Sequence, residues 1–141
     1  MIDVVSAVII RAGRVLLTQR RPEKDFPFAW ECPGGKVDGA ETPRIALSRE
    51  LLEEIGVCDV GIPSDVPIWS GEFQNMVQRS ERAHVRVSFY RVTLSSSRAP
   101  RPCEGQGIGW FTASEMLGLE LAPANAKACG RIVELLAQGA R

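Results

Sequence analysis

At 141 residues, 45% of them hydrophobic, the chain has the length of one ordinary domain and can bury a substantial core. Seventeen basic residues balance seventeen acidic ones, so no net field points to a nucleic-acid polymer or a membrane surface as partner. No apolar run approaches bilayer-spanning length, the first residues lack a signal-peptide pattern, and Cys32, Cys58, Cys103 and Cys129 form no CxxC or Cys/His cluster. The expectation is a cytoplasmic protein with free thiols and no zinc.

Residues 4–10 are a β-branched apolar run and read as a strand, 11–14 as a tight turn and 15–19 as the returning strand. Residues 20–29, rich in proline and charge, read as a loop, and 30–35 as a short strand running into the Pro33-Gly34-Gly35 turn. Thr42 as N-cap, Pro43 at the first helical position and Gly56 just past the end frame a helix. Ile45, Leu51, Leu52 and Ile55 are its predicted buried side.

Residues 67–74 read as a strand, 79–83 (with Arg79 and Arg82) as a solvated connection, and 84–94, which begins at His84, as a longer strand. Its apolar parity changes between Phe89 and Tyr90, which predicts a bulge. A loop at 95–102, a strand at 108–111, a short helix opened by Thr112 and a closing helix over 126–138 complete the chain. Asn125 stands where it could cap that last helix. The order predicts an α/β sandwich with a mixed β-sheet between helices, as one domain over 1–141.

Glu50, Glu53 and Glu54 lie at i, i+3 and i+4, one face of the first helix, where like charges repel. A divalent cation among them would relieve the repulsion, and an oxygen-rich site suits Mg²⁺ or Mn²⁺, which in turn bind phosphates.

The same stretch carries a longer pattern: Gly35, five residues, Glu41, seven residues, then Arg49-Glu50-Leu51-Leu52-Glu53-Glu54-Ile55-Gly56-Val57. It resembles the signature of the Nudix hydrolases at all nine specified positions. Beyond it, the segment from Trp30 to Lys36 is similar to the entry segment of MutT-like members, and Leu121-Ala122-Pro123-Ala124-Asn125 to their base-recognition segment. Glu104-Gly105-Gln106 resembles the place where that branch supplies another acidic ligand.

The resemblance implies the Nudix α/β/α sandwich and a Mg²⁺-dependent (Mn²⁺ possible) enzyme that splits a nucleoside triphosphate into monophosphate and pyrophosphate, as monomer or homodimer. Metal ligands would be Glu50, Glu53, Glu54, the Gly34 carbonyl and Glu104, with Arg49 orienting a neighbouring carboxylate. The glutamate matching Glu50 often serves those enzymes as general base, and Glu104 is the alternative. Arg21 and Lys36 are candidate phosphate contacts; Asn125, with a donor and an acceptor, suits a base edge beside Cys32, which stands where relatives carry Phe. Asn125 points to oxidised dGTP as substrate. A cytidine-type pyrophosphohydrolase is the alternative, and a nucleotide-binding module without catalysis the reading from another class.

Overall fold

The computed structural model describes residues 1–78, 81–95 and 99–139. Strand β1 (Ile2–Arg11) turns at Ala12-Gly13, both at positive φ, into β2 (Arg14–Gln19). The predicted strand at 30–35 is instead two short ones with different partners. β3 (Trp30–Glu31) pairs with β2, and β4 (Gly34–Lys36) pairs with β1. Helix α1 (Pro43–Ile55) follows, then β5 (Val60–Gly61), β6 (Trp69–Gln78), β7 (Glu81–Leu94), β8 (Gly107–Phe111), α2 (Ala113–Leu117) and α3 (Pro123–Gly139).

The sheet runs β3-β2-β1-β7-β5, with β4 on β1, β6 on β7 and β8 on β2. Only β1 and β7 among the described strands run parallel, so the sheet is mixed as the element order predicts. One face packs on α1 through Leu47, Leu51 and Ile55, the other on α3 through Ile132, Leu135 and Leu136.

These two covers explain the parity change in β7. The β1–β7 register is unbroken from Ile2↔Val85 to Ile9↔Val92, so there is no bulge at Phe89. Val85, Val87 and Phe89 belong to the α3-side core, and Tyr90, Val92 and Leu94 to the α1-side core. A strand covered by a helix on each face shows both parities without a bulge. The irregularity lies in β6, where Phe73 pairs with Val85 but Met76 with Ala83, three steps against two. The ladder also takes in most of the predicted connection, through Val77↔Arg82 and Gln78↔Glu81. Arg79 lies outside the described residues, as do residues 96–98 of the predicted loop.

Helix α1 starts and stops as its local signals require. The Thr42 hydroxyl accepts from the Ile45 N–H, and Gly56 at φ +69° closes the end by donating to the Leu52 carbonyl. Its buried side differs from the expectation: Ala46, Leu47, Leu51 and Ile55 are buried, while Ile45 and Leu52 stay more than half exposed. At about 100° per residue, the arc from Ile55 through Leu51, Leu47, Glu54 and Glu50 to Ala46 is continuous. The carboxylate face therefore adjoins the apolar face and turns inward with it, leaving Ile45 and Leu52 outside. Among the described residues, no helix is long and apolar enough to cross a membrane.

Candidate active site

The inward turn of α1 brings its carboxylates onto β4. The Gly34 N–H donates to Glu54 Oε2 at 3.0 Å, and Thr18 Oγ1 donates to Glu54 Oε1 at 3.1 Å. A Cβ at Gly35 would stand 2.3 Å from the Glu50 carboxyl carbon, and one at Gly34 only 2.0 Å from the Val5 carbonyl oxygen. The two glycines thus let strand and helix approach where side chains would separate them. Burial pushes Glu54 up to about 8, aided by the charges of Glu31 and Glu104 and opposed by the Gly34 and Thr18 bonds. Burial also raises Glu50, against the pull of Arg49. Glu31 is raised by burial as well, although a quarter of its side chain reaches solvent and Arg20 Nη1 pairs with it at 3.0 Å.

Arg49 ties this face to the preceding loop. Its Nε and Nη2 grip both oxygens of Glu41 at 2.7 and 2.8 Å, and Nη2 also donates to the Lys36 carbonyl at 3.0 Å. Its Nη1 reaches Glu50 at 2.9 Å and Glu53 at 3.4 Å. Glu41 also accepts from the Asp38 N–H at 2.8 Å. Held chiefly by Arg49, its carboxyl is pulled down to about 2.

The far end of α1 is clamped by the segment before β8. The Arg101 N–H donates to the Ile55 carbonyl at 3.0 Å, and the Cys103 N–H to the Glu54 carbonyl at 3.1 Å. Buried Gln106 donates through Nε2 to the Glu54 carbonyl and accepts through Oε1 from the Glu104 N–H, both at 2.9 Å. Arg21 Nη1 donates to the Glu104 carbonyl at 2.8 Å while its Nε pairs with Glu23.

These groups open into a cleft of about 750 Å³. Arg21, Cys32, Gly34, Lys36, Glu50, Glu54, Glu104 and Asn125 all line it; Arg49 stands behind Glu50, and Glu53 is about half exposed at the rim of the helix. At the end away from α1, Asn125 is 3% exposed and donates through Nδ2 to Cys32 Sγ at 3.3 Å. Asn125 does not cap α3. The helix begins at Pro123, a residue suited to the first helical position, and the Ala126 N–H bonds the Ala122 carbonyl, so Asn125 lies inside the first turn. Burial pushes the Cys32 thiol up to about 12, so it is a protonated packing group and not a nucleophile.

Three groups went unnoticed as site residues in the sequence. Thr18 is the polar break in the apolar run Val15-Leu16-Leu17, which was a legible signal. Gln106 and the Arg20–Glu31 pair gave none, because their partners are distant in the chain. The donor set fits a hard divalent cation: all-oxygen, with a half-buried carboxylate, Glu54, that desolvation and its acidic neighbours disfavour as an anion. Among the described residues no three such groups already converge as a metal cage, since Arg49 holds Glu50 and Glu53 while Thr18 and Gly34 hold Glu54.

Residues 2–131 match the NUDIX domain family. The chain is 35% identical over 125 residues to the CTP pyrophosphohydrolase of Escherichia coli K12, covering 89% of this chain and 86% of that one. It is 34% identical over 131 residues to the 8-oxo-dGTP diphosphatase of Haemophilus influenzae, covering 92% and 90%. The fold is also similar to the solution structure of MutT, a Nudix hydrolase, from methicillin-resistant Staphylococcus aureus. There the TM-score is 0.73 at 32% identity, covering 95% of this chain and 96% of that one.

Proposed function

The chain belongs to the NUDIX family and is a hydrolase of nucleotide diphosphate bonds, and we propose that it releases pyrophosphate from a nucleoside triphosphate, with oxidised dGTP preferred. The observation that carries this reading is the cleft: half-buried carboxylates of α1 at one end and the buried carboxamide of Asn125 at the other. Glu50, Glu53, Glu54, Glu104 and the Gly34 carbonyl would hold Mg²⁺, with Mn²⁺ as a substitute. Bound cations would neutralise phosphate oxygens, align the diphosphate and acidify a water.

The chain's own groups do the rest. Arg49 fixes the rotamer of Glu50 through its bond at 2.9 Å, and Glu41 fixes Arg49. Glu50, which lines the cleft and is held by Arg49, is placed to take a proton from an attacking water, with Glu104 on the same cleft as the alternative base. Arg21 and Lys36 bring positive charge to the same cleft, where they can meet the phosphate oxygens.

At the base end, Asn125 donates one of its two N–H groups to Cys32, while its Oδ1 takes no hydrogen bond among the described residues. An acceptor there favours a base edge that presents a donor. Oxidation at C8 gives guanine an N–H at N7, where the parent base has a bare acceptor, so an acceptor-lined site prefers the oxidised form. The exocyclic amine of cytosine is also a donor, and Cys32 is small. These two features favour CTP as the second reading. We read the chain as a cytoplasmic enzyme that works as a monomer or homodimer.

The test is pyrophosphate release in Mg²⁺ from 8-oxo-dGTP, dGTP, CTP and dCTP. The expected order places 8-oxo-dGTP first in kcat/KM, with dGTP lower by about 10²-fold or more. A first place for CTP would move the assignment to the second reading, and no pyrophosphate from any of the four would overturn both.

A further inference from the structure

Among the described residues lining the cleft, Phe26 is the one aromatic side chain, and it is 41% exposed. It lies in the segment 20–29 that joins β2 to β3. Its backbone is left-handed, at φ +51°, although it precedes Pro27, a position that favours extended backbone. Phe28, at φ +66°, is 56% exposed. Such angles are outliers for bulky residues and persist only where the surroundings over-determine them.

The surroundings do so here. Gln19 Nε2 donates to the Phe28 carbonyl at 3.1 Å, the Phe28 N–H to the Arg20 carbonyl at 2.9 Å and the Ala29 N–H to the Phe26 carbonyl at 3.2 Å. The Arg20 N–H bonds the Ala29 carbonyl at 2.8 Å, and the Arg20 guanidinium donates to the Asp25 carbonyl. Packing would account for a strained aromatic that is buried. It does not account for one held open at the wall of a cleft.

Much of the segment lines the cleft, from Arg20 to Phe26. Near its start, Arg21 bonds the Glu104 carbonyl at the acidic end. Just past its far end, the Trp30 N–H bonds the Glu120 carbonyl at 2.8 Å and the Ala122 N–H bonds the Trp30 carbonyl at 3.0 Å, which ties the loop to the segment leading into α3 and Asn125. Cys32, beside Asn125, has no ring to offer.

We propose that Phe26 stacks on the nucleobase and is a specificity-determining residue of this hydrolase. The assignment rests on the pyrophosphohydrolase reading above. Every base has a π-face, so the ring favours a substrate with a base over one without, while Asn125 chooses among base edges.

The test compares wild type, Phe26→Asn and Phe26→Tyr on two substrates in Mg²⁺: 8-oxo-dGTP and 2-deoxyribose 5-triphosphate, which lacks a base. Asn tolerates the left-handed backbone, so it removes the ring and keeps the loop. Phe26→Asn should raise KM for the nucleotide at least about tenfold and leave kcat/KM on the baseless triphosphate unchanged. Phe26→Tyr should stay near wild type on both. An unchanged nucleotide KM in Phe26→Asn overturns the proposal, and so does an equal loss on both substrates, which would mean that the ring only supports the loop.

If wild type hydrolyses no nucleotide, the pyrophosphohydrolase reading fails separately. Phe26→Trp then decides: emission quenched beyond wild type by 8-oxo-dGTP, and not by the baseless triphosphate, supports stacking. No such quenching overturns it.

Discussion

Gly34 and Gly35 adjoin, yet a methyl group added at each meets a different obstacle. At Gly34 it meets backbone, the Val5 carbonyl at 2.0 Å, and nothing there can rotate away. At Gly35 it meets the end of the Glu50 side chain, 2.3 Å from the carboxyl carbon, which can swing aside. Gly34→Ala should therefore destabilise the fold by about 1–3 kcal/mol or more. Gly35→Ala should stay folded, with a lower melting temperature by a few degrees at most, and lose about 10²-fold in kcat, because the displaced carboxylate no longer faces the cleft. Melting curves and steady-state rates on the two variants separate the effects. The opposite pattern, a stable inactive Gly34→Ala and an unstable Gly35→Ala, would mean that Glu50 is misplaced.

At the scale of the element, α1 is held in place at both ends by groups outside it. Glu41 fixes the near end through Arg49. Its folded carboxyl lies at about 2, below the ordinary 4.5. A depressed acid stabilises the fold above the unfolded value and loses that contribution as pH falls through the folded one. The Glu41–Arg49 contribution should thus be whole above about pH 4.5 and fade toward pH 2. In urea titrations, Glu41→Gln should lie furthest from wild type near pH 7 and converge on it as pH falls below 4. A gap that does not narrow in acid would show that Glu41 is not tied to Arg49.

Much of α1 was legible because its signals are local: Thr42, Pro43 and Gly56 act on their own backbone, and the carboxylate spacing is a property of the helix alone. Its buried side was less so. Ile45 and Leu52 look as apolar as Leu47, and only the approach of β4 to Glu50 and Glu54 turns them outward. The parity of β7 misled for the same reason, since it records two covering helices and not a bulge.

At the scale of the whole molecule, the mixed sheet between helices followed from the order of the elements. The cleft's composition did not follow so directly. Glu104 reaches it because Gln106 and Arg21 fasten the segment before β8. Asn125 reaches it because α3 begins two residues earlier, at Pro123. Phe26 reaches it on a backbone angle that no local pattern announces. Contacts between distant segments make the Asn125 end of the cleft, whereas the acidic end is written largely within one helix.

We propose that the acidic end carries the hydrolysis, and the sharpest test is Glu54→Gln. Gln has nearly the same shape, its oxygen can accept from the Gly34 N–H, and the Thr18 hydroxyl can turn to donate to the Glu31 carbonyl and accept from the new amide, so the variant should fold about as stably as wild type. With Mg²⁺ and the nucleotide that wild type hydrolyses best, pyrophosphate release should fall by about 10²–10⁴-fold while circular dichroism and melting temperature hold. A folded Glu54→Gln that retains more than about a tenth of the wild-type rate would contradict the account.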